Sequence, residues 1–379
     1  MRVLVVKLSS LGDVVQTMPV VNDILKAHPK AQIDWVVEEA FAPLVERVRG
    51  VHHVFAIAER RWRKARFHPA TRQQRAAFSA VLQAQAYDAV IDFQGLIKSA
   101  LVARRARLAP GGFRATYANG SDACSYEWPV RFMVNRPIAM AQRIHAVARY
   151  RSLAAQALGY AVQGTAVYRL QSNALRAVKT VVFAHGTTRP DNEWPAERWI
   201  ALGRQLIEQG YQIALPQANP QELDLCDRIL LALADSSAQG ESVATHQKTA
   251  FTSSIAPAAT AGGTAGGVFG GSSVVIWPRL SLAQVLDHMA GCAGVIGVDS
   301  GLSHLAVALG LPHVQIFSQP RAWRAGPQGQ AHQCAVGGEA APDVQTVWHA
   351  WQVVTDVNAL NRAGQTPVTR PATASERVS

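Results

Sequence analysis

The first twenty residues, MRVLVVKLSSLGDVVQTMPV, constrain the fold of this chain more than any other stretch. Residues 2–7 form an apolar, β-branched run. Ser9-Ser10-Leu11-Gly12-Asp13 interrupts it, and from Val14 the apolar spacing becomes helical, which predicts a strand, a tight turn and a helix. In an open α/β sheet ligands bind beyond the carboxyl ends of the strands, so this turn sits where chemistry is expected. Gly12 permits close approach by another backbone or a sugar, and Asp13 puts a carboxylate at the mouth of the helix. The same two residues also read as a turn glycine and a helix cap, and caps are far commoner than catalytic bases.

A chain of 379 residues exceeds one compact core and suits two domains of ordinary size with some excess. With 49% hydrophobic and 17% charged residues the composition is globular, not disordered. Lys and Arg number 37 against 26 Asp and Glu, a formal charge of +11, which points to an anionic partner. Composition alone leaves nucleic acid, an acidic membrane surface and a phosphorylated substrate open. No apolar run approaches the about 20 residues of a spanning helix, and no secretory pattern opens the chain, so a cytoplasmic location is expected. Cys124, Cys226, Cys292 and Cys334 lie far apart without C-x-x-C spacing, and read as buried or incidental thiols.

Further strands are expected at residues 32–38, 53–57 and 87–93, with a helix over 71–86. Between 59 and 66 lies ERRWRKAR, read as a basic loop that is either a solvated surface run or a grip on phosphates and carboxylates through Arg. The 87–93 strand leads into Gln94-Gly95-Leu96-Ile97-Lys98-Ser99 and a helix to 106, repeating the opening plan. That repetition favours a doubly wound sheet. Residues 111–135 read as irregular, and 139–158 as a long helix carrying His145.

A second α/β set begins near 178, with strands at 180–184, 211–216, 274–277 and 313–317 and helices at 195–209, 220–234 and 282–290. A polar turn, His185-Gly186-Thr187-Thr188-Arg189, follows its first strand. Residues 236–273, rich in Ala, Gly, Ser and Thr, read as a flexible insertion. GVIGVDSGLSHLAVALG at 294–310 is a strand ending in Asp299-Ser300-Gly301, with Leu302-Ser303-His304 opening a helix. The free N–H groups of such a helix start form an anion site. Residues 341–361 suggest a terminal helix and 362–379 a disordered tail.

Taken together, VKLSSLGDVVQTMP, DWVVEEAF, RRWRKARF, YDAVIDFQGLIKSAL, HGTTRPDNEWP and VDSGLSHLAVAL closely resemble the ADP-heptose glycosyltransferase family, whose fold is GT-B. The resemblance implies an α/β chain with two Rossmann-like doubly wound domains facing a cleft. Residues 1–170 would bind the acceptor and 175–340 ADP-heptose. It implies inverting transfer of L-glycero-D-manno-heptose to the 3-deoxy-octulosonic acid (Kdo) residue of Kdo-lipid A. No metal and no cofactor would be needed, and the enzyme would work peripherally on the cytoplasmic face of an anionic inner membrane. The basic stretch is what points to this acceptor within the family.

On the same resemblance Asp13 would be the general base. Thr187, Thr188, Arg189, Asn192, Glu222, Asp299, Ser300, Gly301, Leu302 and His304 would bind the donor. The acceptor would meet Ser10, Gly12, Gln94, Lys98 and the cluster Arg60, Arg61, Arg63 and Lys64. One departure matters: Asn192 stands where the family usually carries a lysine that neutralises the diphosphate, so that charge would have to come from Arg189, Arg279 or His304. A second is Ser318-Gln319-Pro320-Arg321, in place of a threonine-aspartate-proline turn. The alternatives are a later heptosyltransferase, a nucleotide-sugar epimerase on the same fold, or a non-catalytic binder of nucleic acid or anionic membrane. No nucleic-acid-binding signature accompanies the charge, so nucleic acid is not expected as a partner.

Overall fold

A computed structural model describes residues 1–122, 124–174, 179–238 and 273–363. Within them lie two six-stranded sheets, parallel throughout. The first contains β1 (Arg2–Val6), β2 (Gln32–Glu38), β3 (Val51–Ile57), β4 (Ala86–Asp92), β5 (Arg107–Tyr117) and β6 (Arg136–Ile138), in the order β3-β2-β1-β4-β5-β6. The second contains β7 (Thr180–Ala184), β8 (Gln212–Leu215), β9 (Val274–Ile276), β10 (Gly294–Val298), β11 (His313–Phe317) and β12 (Gln333–Gly337). Its order is β12-β11-β10-β7-β8-β9, the same winding repeated. Val3 to Val6 and Val181 to Ala184 are wholly buried, as strands covered on both faces by crossover helices must be, and so read as unbroken apolar runs. In each sheet the winding reverses between the first and fourth strands, β1/β4 and β7/β10, which opens a crevice at their carboxyl ends.

The halves meet through helices. The Leu11–Thr17 helix, which leaves β1, lies against the Gly301–Leu309 helix, which leaves β10. One apolar cluster runs from Val3, Val5 and Ile33 through Val14, Val15, Leu305 and Ala306 to Val182 and Val295. The core is therefore continuous across the seam. Arg47 adds an ion pair to Asp287 at 3.2 Å, also across it.

Several expected boundaries shift. The basic run is a helix, Glu59–Lys64, and not a loop, because buried Glu38 at the end of β2 accepts from the Arg60 N–H at 2.9 Å and Trp62 is packed inside. Part of the stretch read as irregular is β5, which passes through Pro110-Gly111-Gly112 with a register shift opposite Tyr87 and Ala89. The long helix starts only at Ala146 and ends at Leu158, with His145 as its cap accepting from the Val147 N–H. β6 and β12, short edge strands, were not expected. Of the insertion only residues 236–238, at the end of the Pro220–Ala238 helix, and Ser273 are described; the first two residues of the expected tail, 362 and 363, end the Val344–Ala363 helix, and the rest of it lies outside the described residues.

The Val344–Ala363 helix seals the second sheet. Buried Val347, Trp351 and Val354 join Val181, Phe183 and Ile296 in its core, and the indole lies against Gly294, where a Cβ would come within 2.7 Å of it. Trp351→Ala should lower unfolding stability by about 3 to 5 kcal/mol in urea titration, the usual cost of deleting so large a buried side chain. A loss below about 1 kcal/mol would show that this helix is not part of the core.

Candidate active site

The turn after β1 is held from several sides. Gln94, at the end of β4, accepts from the Leu8 and Ser9 N–H groups at 3.2 and 3.1 Å, so the two switch-point strands fix each other's loops. Asp92 below it accepts from the Gln94 and Gly95 N–H groups and the Ser99 hydroxyl. Burial nevertheless raises its carboxyl to about 6, those hydrogen bonds only partly offsetting the desolvation.

Asp13 is the third residue of its helix, and the residue preceding the helix is Ser10. Its Oδ2 accepts from the Ser10 N–H at 3.2 Å and the Ser10 hydroxyl at 3.0 Å, closing the helix start. Its Oδ1 accepts from the Tyr150 hydroxyl at 2.8 Å, and the Lys7 ammonium lies 3.9 Å away. Lys7 itself is buried and donates to Tyr150 at 3.1 Å and to the Phe93 carbonyl at 3.3 Å. Burial works against ionising Asp13, but Lys7, the Tyr150 hydroxyl, the Ser10 N–H and Arg324 outweigh it and hold the carboxyl at about 2. Burial in turn pulls Lys7 below its usual range. The Asp13 side chain keeps 25% of its surface, so a ligand in the crevice can reach it.

Across the seam the second crevice is lined from β7 and β10. Gly186 lies under the carboxylate of Glu222, which stands on the first turn of the Pro220–Ala238 helix; a Cβ on Gly186 would meet the Glu222 Oε1 at 2.6 Å. Glu222 Oε2 accepts from the Ala218 N–H at 2.7 Å. Thr187 Oγ1 accepts from the Arg189 N–H, and Thr188 and Arg189 are exposed beside it. Ser300 precedes the Gly301–Leu309 helix in extended conformation and makes no capping hydrogen bond, so the first N–H groups of that helix, from Gly301 and Leu302, face the crevice uncapped. Asp299 accepts from the Gln315 amide at 3.0 Å and lies 3.4 Å from His304 Nε2.

Buried polar atoms without partners gather here: the Asn192 and Gln315 side-chain oxygens, the Ser300 hydroxyl, the Arg321 Nη1 and the Arg324 Nε. A folded chain rarely leaves such groups unpaired unless a polar ligand or water completes them. Of the cations expected to replace a lysine at Asn192, Arg189 is spent on Asp191 at 2.9 and 3.0 Å, and Arg279 is exposed after β9. His304 packs on Gly12. The Asp299 carboxyl is pulled down against the effect of burial chiefly by His304, with Arg324 and Arg321, both outside the expected set, adding to it, and Arg324 acts on Asp13 as well. Arg321 also pairs with Asp191 at 3.2 Å.

The two crevices touch. A Cβ on Gly12 would stand 2.5 Å from the His304 ring, and one on Gly301 would stand 2.6 to 2.9 Å from Leu11. The Gln16 amide reaches the His304 Nδ1 at 3.4 Å. Asp13 and the uncapped helix start are thus set on opposing elements at glycine-to-side-chain contact.

The basic helix lies at the same edge of the first sheet, after β3. Arg61 is committed to Glu39 and Gln74, and Arg60 lies over the Phe41 ring at 5.5 Å, while Arg63 and Lys64 are exposed. Arg63 and Lys98 line one pocket of about 320 Å³ together with Arg66, Arg75 and Arg105. Ser10, Gly12, Gln94 and Asp13 therefore form one group, and Arg63 and Lys98 another.

Two Rossmann-order domains with their switch-point crevices facing each other define a GT-B glycosyltransferase. Residues 75–256 and 246–348 match the model of glycosyltransferase family 9 (heptosyltransferase), and the chain belongs to that family. It is 36% identical over 324 residues to lipopolysaccharide heptosyltransferase 1 of Escherichia coli K12, covering 84% of this chain and 88% of that one. To the protein of the same name from Pseudomonas aeruginosa it is 33% identical over 325 residues, 84% and 78% of the two chains. Among solved structures it is similar to the E. coli heptosyltransferase WaaC with ADP, with a TM-score of 0.71 at 32% identity over 96% of this chain and 99% of that one. WaaC with ADP-2-deoxy-2-fluoro heptose gives a TM-score of 0.69 at the same identity, over 96% and 100% of the two chains.

If Lys7 and Tyr150 hold Asp13 ionised, Lys7→Met should raise its carboxyl toward the usual range near 4. Carbon NMR titration of the Asp13 carboxyl measures this directly. A carboxyl that still titrates at about 2 in the variant would remove Lys7 from the account.

Proposed function

We propose that the protein transfers L-glycero-D-manno-heptose from ADP-heptose to the Kdo residue of Kdo-lipid A, with inversion at the anomeric carbon and without a metal ion. The observation that carries this reading is the placement of Asp13 across a glycine contact from an uncapped helix start ringed by unpartnered polar atoms. The heptosyltransferase 1 relatives and the ADP and ADP-heptose analogue in the WaaC structures support it.

In this reading Glu222 takes the ribose hydroxyls. Thr187, Thr188, Asn192, Ser300, Gly301 and Leu302 take the diphosphate, while Asp299 and His304 brace that turn through their mutual contact. Arg189 stays with Asp191 at the rim. The acceptor hydroxyl enters between Ser10, Gly12 and Gln94. As its oxygen attacks heptose C1, its proton passes to Asp13, and the bond from C1 to the β-phosphate oxygen breaks, leaving its electron pair on ADP. A sugar hydroxyl is too weak an acid to ionise beforehand, so Asp13 acts as the proton leaves. A carboxylate held at about 2 is a weak base at rest. The acceptor hydroxyl competes for Oδ1 with Tyr150, and base strength rises as that hydrogen bond gives way.

The charge growing on the leaving diphosphate needs donors already in place. The uncapped helix start supplies N–H groups, and Arg324, with Arg321 through the Nη1 that Asp191 leaves unpaired, supplies the positive charge that Asn192 cannot. Arg60, Arg63, Lys64 and Lys98 meet the carboxylates and phosphates of the acceptor, which the enzyme reaches from the cytoplasmic face of the inner membrane, while Arg61 stays with Glu39 and Gln74. Closure of the halves about the Gly12–His304 contact completes the site. A later heptosyltransferase of the family would differ in acceptor, not in this chemistry.

Incubation with ADP-heptose and Kdo-lipid A should give heptosylated product, an inverted linkage and one ADP per transfer. Absence of both product and ADP would end this reading. Asp13→Ala should lower turnover about a thousandfold, the scale of a lost general base, while ADP-heptose binding stays near wild type. Arg324→Gln should lower kcat about a hundredfold, as loss of a charge-stabilising donor does. A kcat within about threefold of wild type would leave the diphosphate charge to other groups.

A further inference from the structure

We infer that one face of the N-terminal half docks on a bilayer rich in anionic phospholipid, an inference that rests on the acceptor being lipid-anchored. Trp128 and Phe132 are 65% and 67% exposed on one short turn, their rings edge to face at 6.0 Å. The turn is held rigidly. The Glu127 N–H donates to the Gly95 carbonyl at 3.0 Å, its carboxylate accepts from the Ile97 N–H at 2.5 Å, and Val130 is buried beneath. The two rings are therefore presented to solvent by a fixed scaffold, and do not belong to a loosely packed core.

The helix capped by this turn, Ile97–Arg105, continues the surface. Ile97 and Leu101, four residues apart on one stripe, are 40% and 49% exposed. Both line the basic pocket with Arg66 and Arg105, and Phe67, 70% exposed, carries the Arg66 guanidinium 4.5 Å over its ring. The acidic groups at this surface are occupied: Glu59 pairs with Arg75 at 3.4 Å and Glu127 caps the helix. The face thus combines exposed aromatic and aliphatic side chains with unneutralised cations.

That combination suits the headgroup level of an anionic bilayer, where aromatic rings settle and Lys and Arg are drawn to the surface. Nucleic acid binding would draw on aromatic faces for stacking, and the exposed aliphatic Ile97 and Leu101 offer none. No helix among the described residues is long and apolar enough to cross a membrane, so attachment by them would be to its surface.

The test uses the full chain and reads vesicle binding and sugar transfer separately. Wild type should co-float with phosphatidylglycerol vesicles, weakly with phosphatidylcholine vesicles, and less at high salt. The double variant Trp128→Ser, Phe132→Ser should bind phosphatidylglycerol vesicles about tenfold more weakly, having lost the apolar area of two rings. Its transfer to a deacylated, water-soluble Kdo acceptor should equal wild type, which also shows that it is folded. Wild-type vesicle binding unaffected by the double substitution, no binding to phosphatidylglycerol vesicles, or tighter binding to a single-stranded oligonucleotide would each overturn the inference. Vesicle binding that depends on the rings, in a chain that transfers nothing to the soluble acceptor, would leave the docking face standing and remove the proposed activity.

Discussion

The close approach of two helix starts, at Gly12 and at Gly301, is the constraint on which the rest of this structure depends. Each helix leaves the first strand or the fourth at a switch point, and each brings its positive end and its polar turn to the same seam. With a Cβ at either glycine the Leu11–Thr17 and Gly301–Leu309 helices would have to move apart, and Asp13 would recede from the second crevice. The continuous apolar cluster beneath them makes that separation costly, so packing and chemistry are bound to the same contact.

Electrostatics on the two sides of the seam run in opposite senses. On the first, a single carboxylate is kept ionised by Lys7 and Tyr150 in surroundings whose burial would otherwise neutralise it. On the second, the groups left without partners include guanidinium N–H donors, a hydroxyl and amide oxygens, beside an uncapped helix start. In the proposed transfer the first side would receive a proton and the second negative charge. A displacement that moves a proton one way and a leaving phosphate the other uses both, without either side having to reorganise during the reaction.

Much of this was legible before the fold was known. Unbroken apolar runs followed by glycine turns marked the central strands, and the repeated plan in both halves marked the doubly wound sheets. The motifs around Asp13, Thr187 and Asp299 pointed to the crevice-lining turns because chemistry in such sheets is confined to strand ends. What escaped was long-range. Tyr150 lies 137 residues from Asp13, and nothing in its own helix marks the hydroxyl it presents. Lys7 reads as the last residue of a strand, and Arg321 and Arg324 lie in a segment that departs from the family pattern. The edge strands β6 and β12 are too short for periodicity to show, and the basic run became helical only because Glu38 and Trp62 anchor it. Such features are set by tertiary contacts, which local pattern does not carry.

The most direct measurement is kcat together with ADP-heptose affinity for Gly12→Ala, a change that adds one methyl against the His304 ring and makes no contact with Thr187 or Glu222. The account predicts donor affinity within about twofold of wild type and kcat lower by about tenfold or more, because geometry and not binding is lost. A kcat equal to wild type would mean that Asp13 and the donor crevice do not work through this contact, and would contradict it.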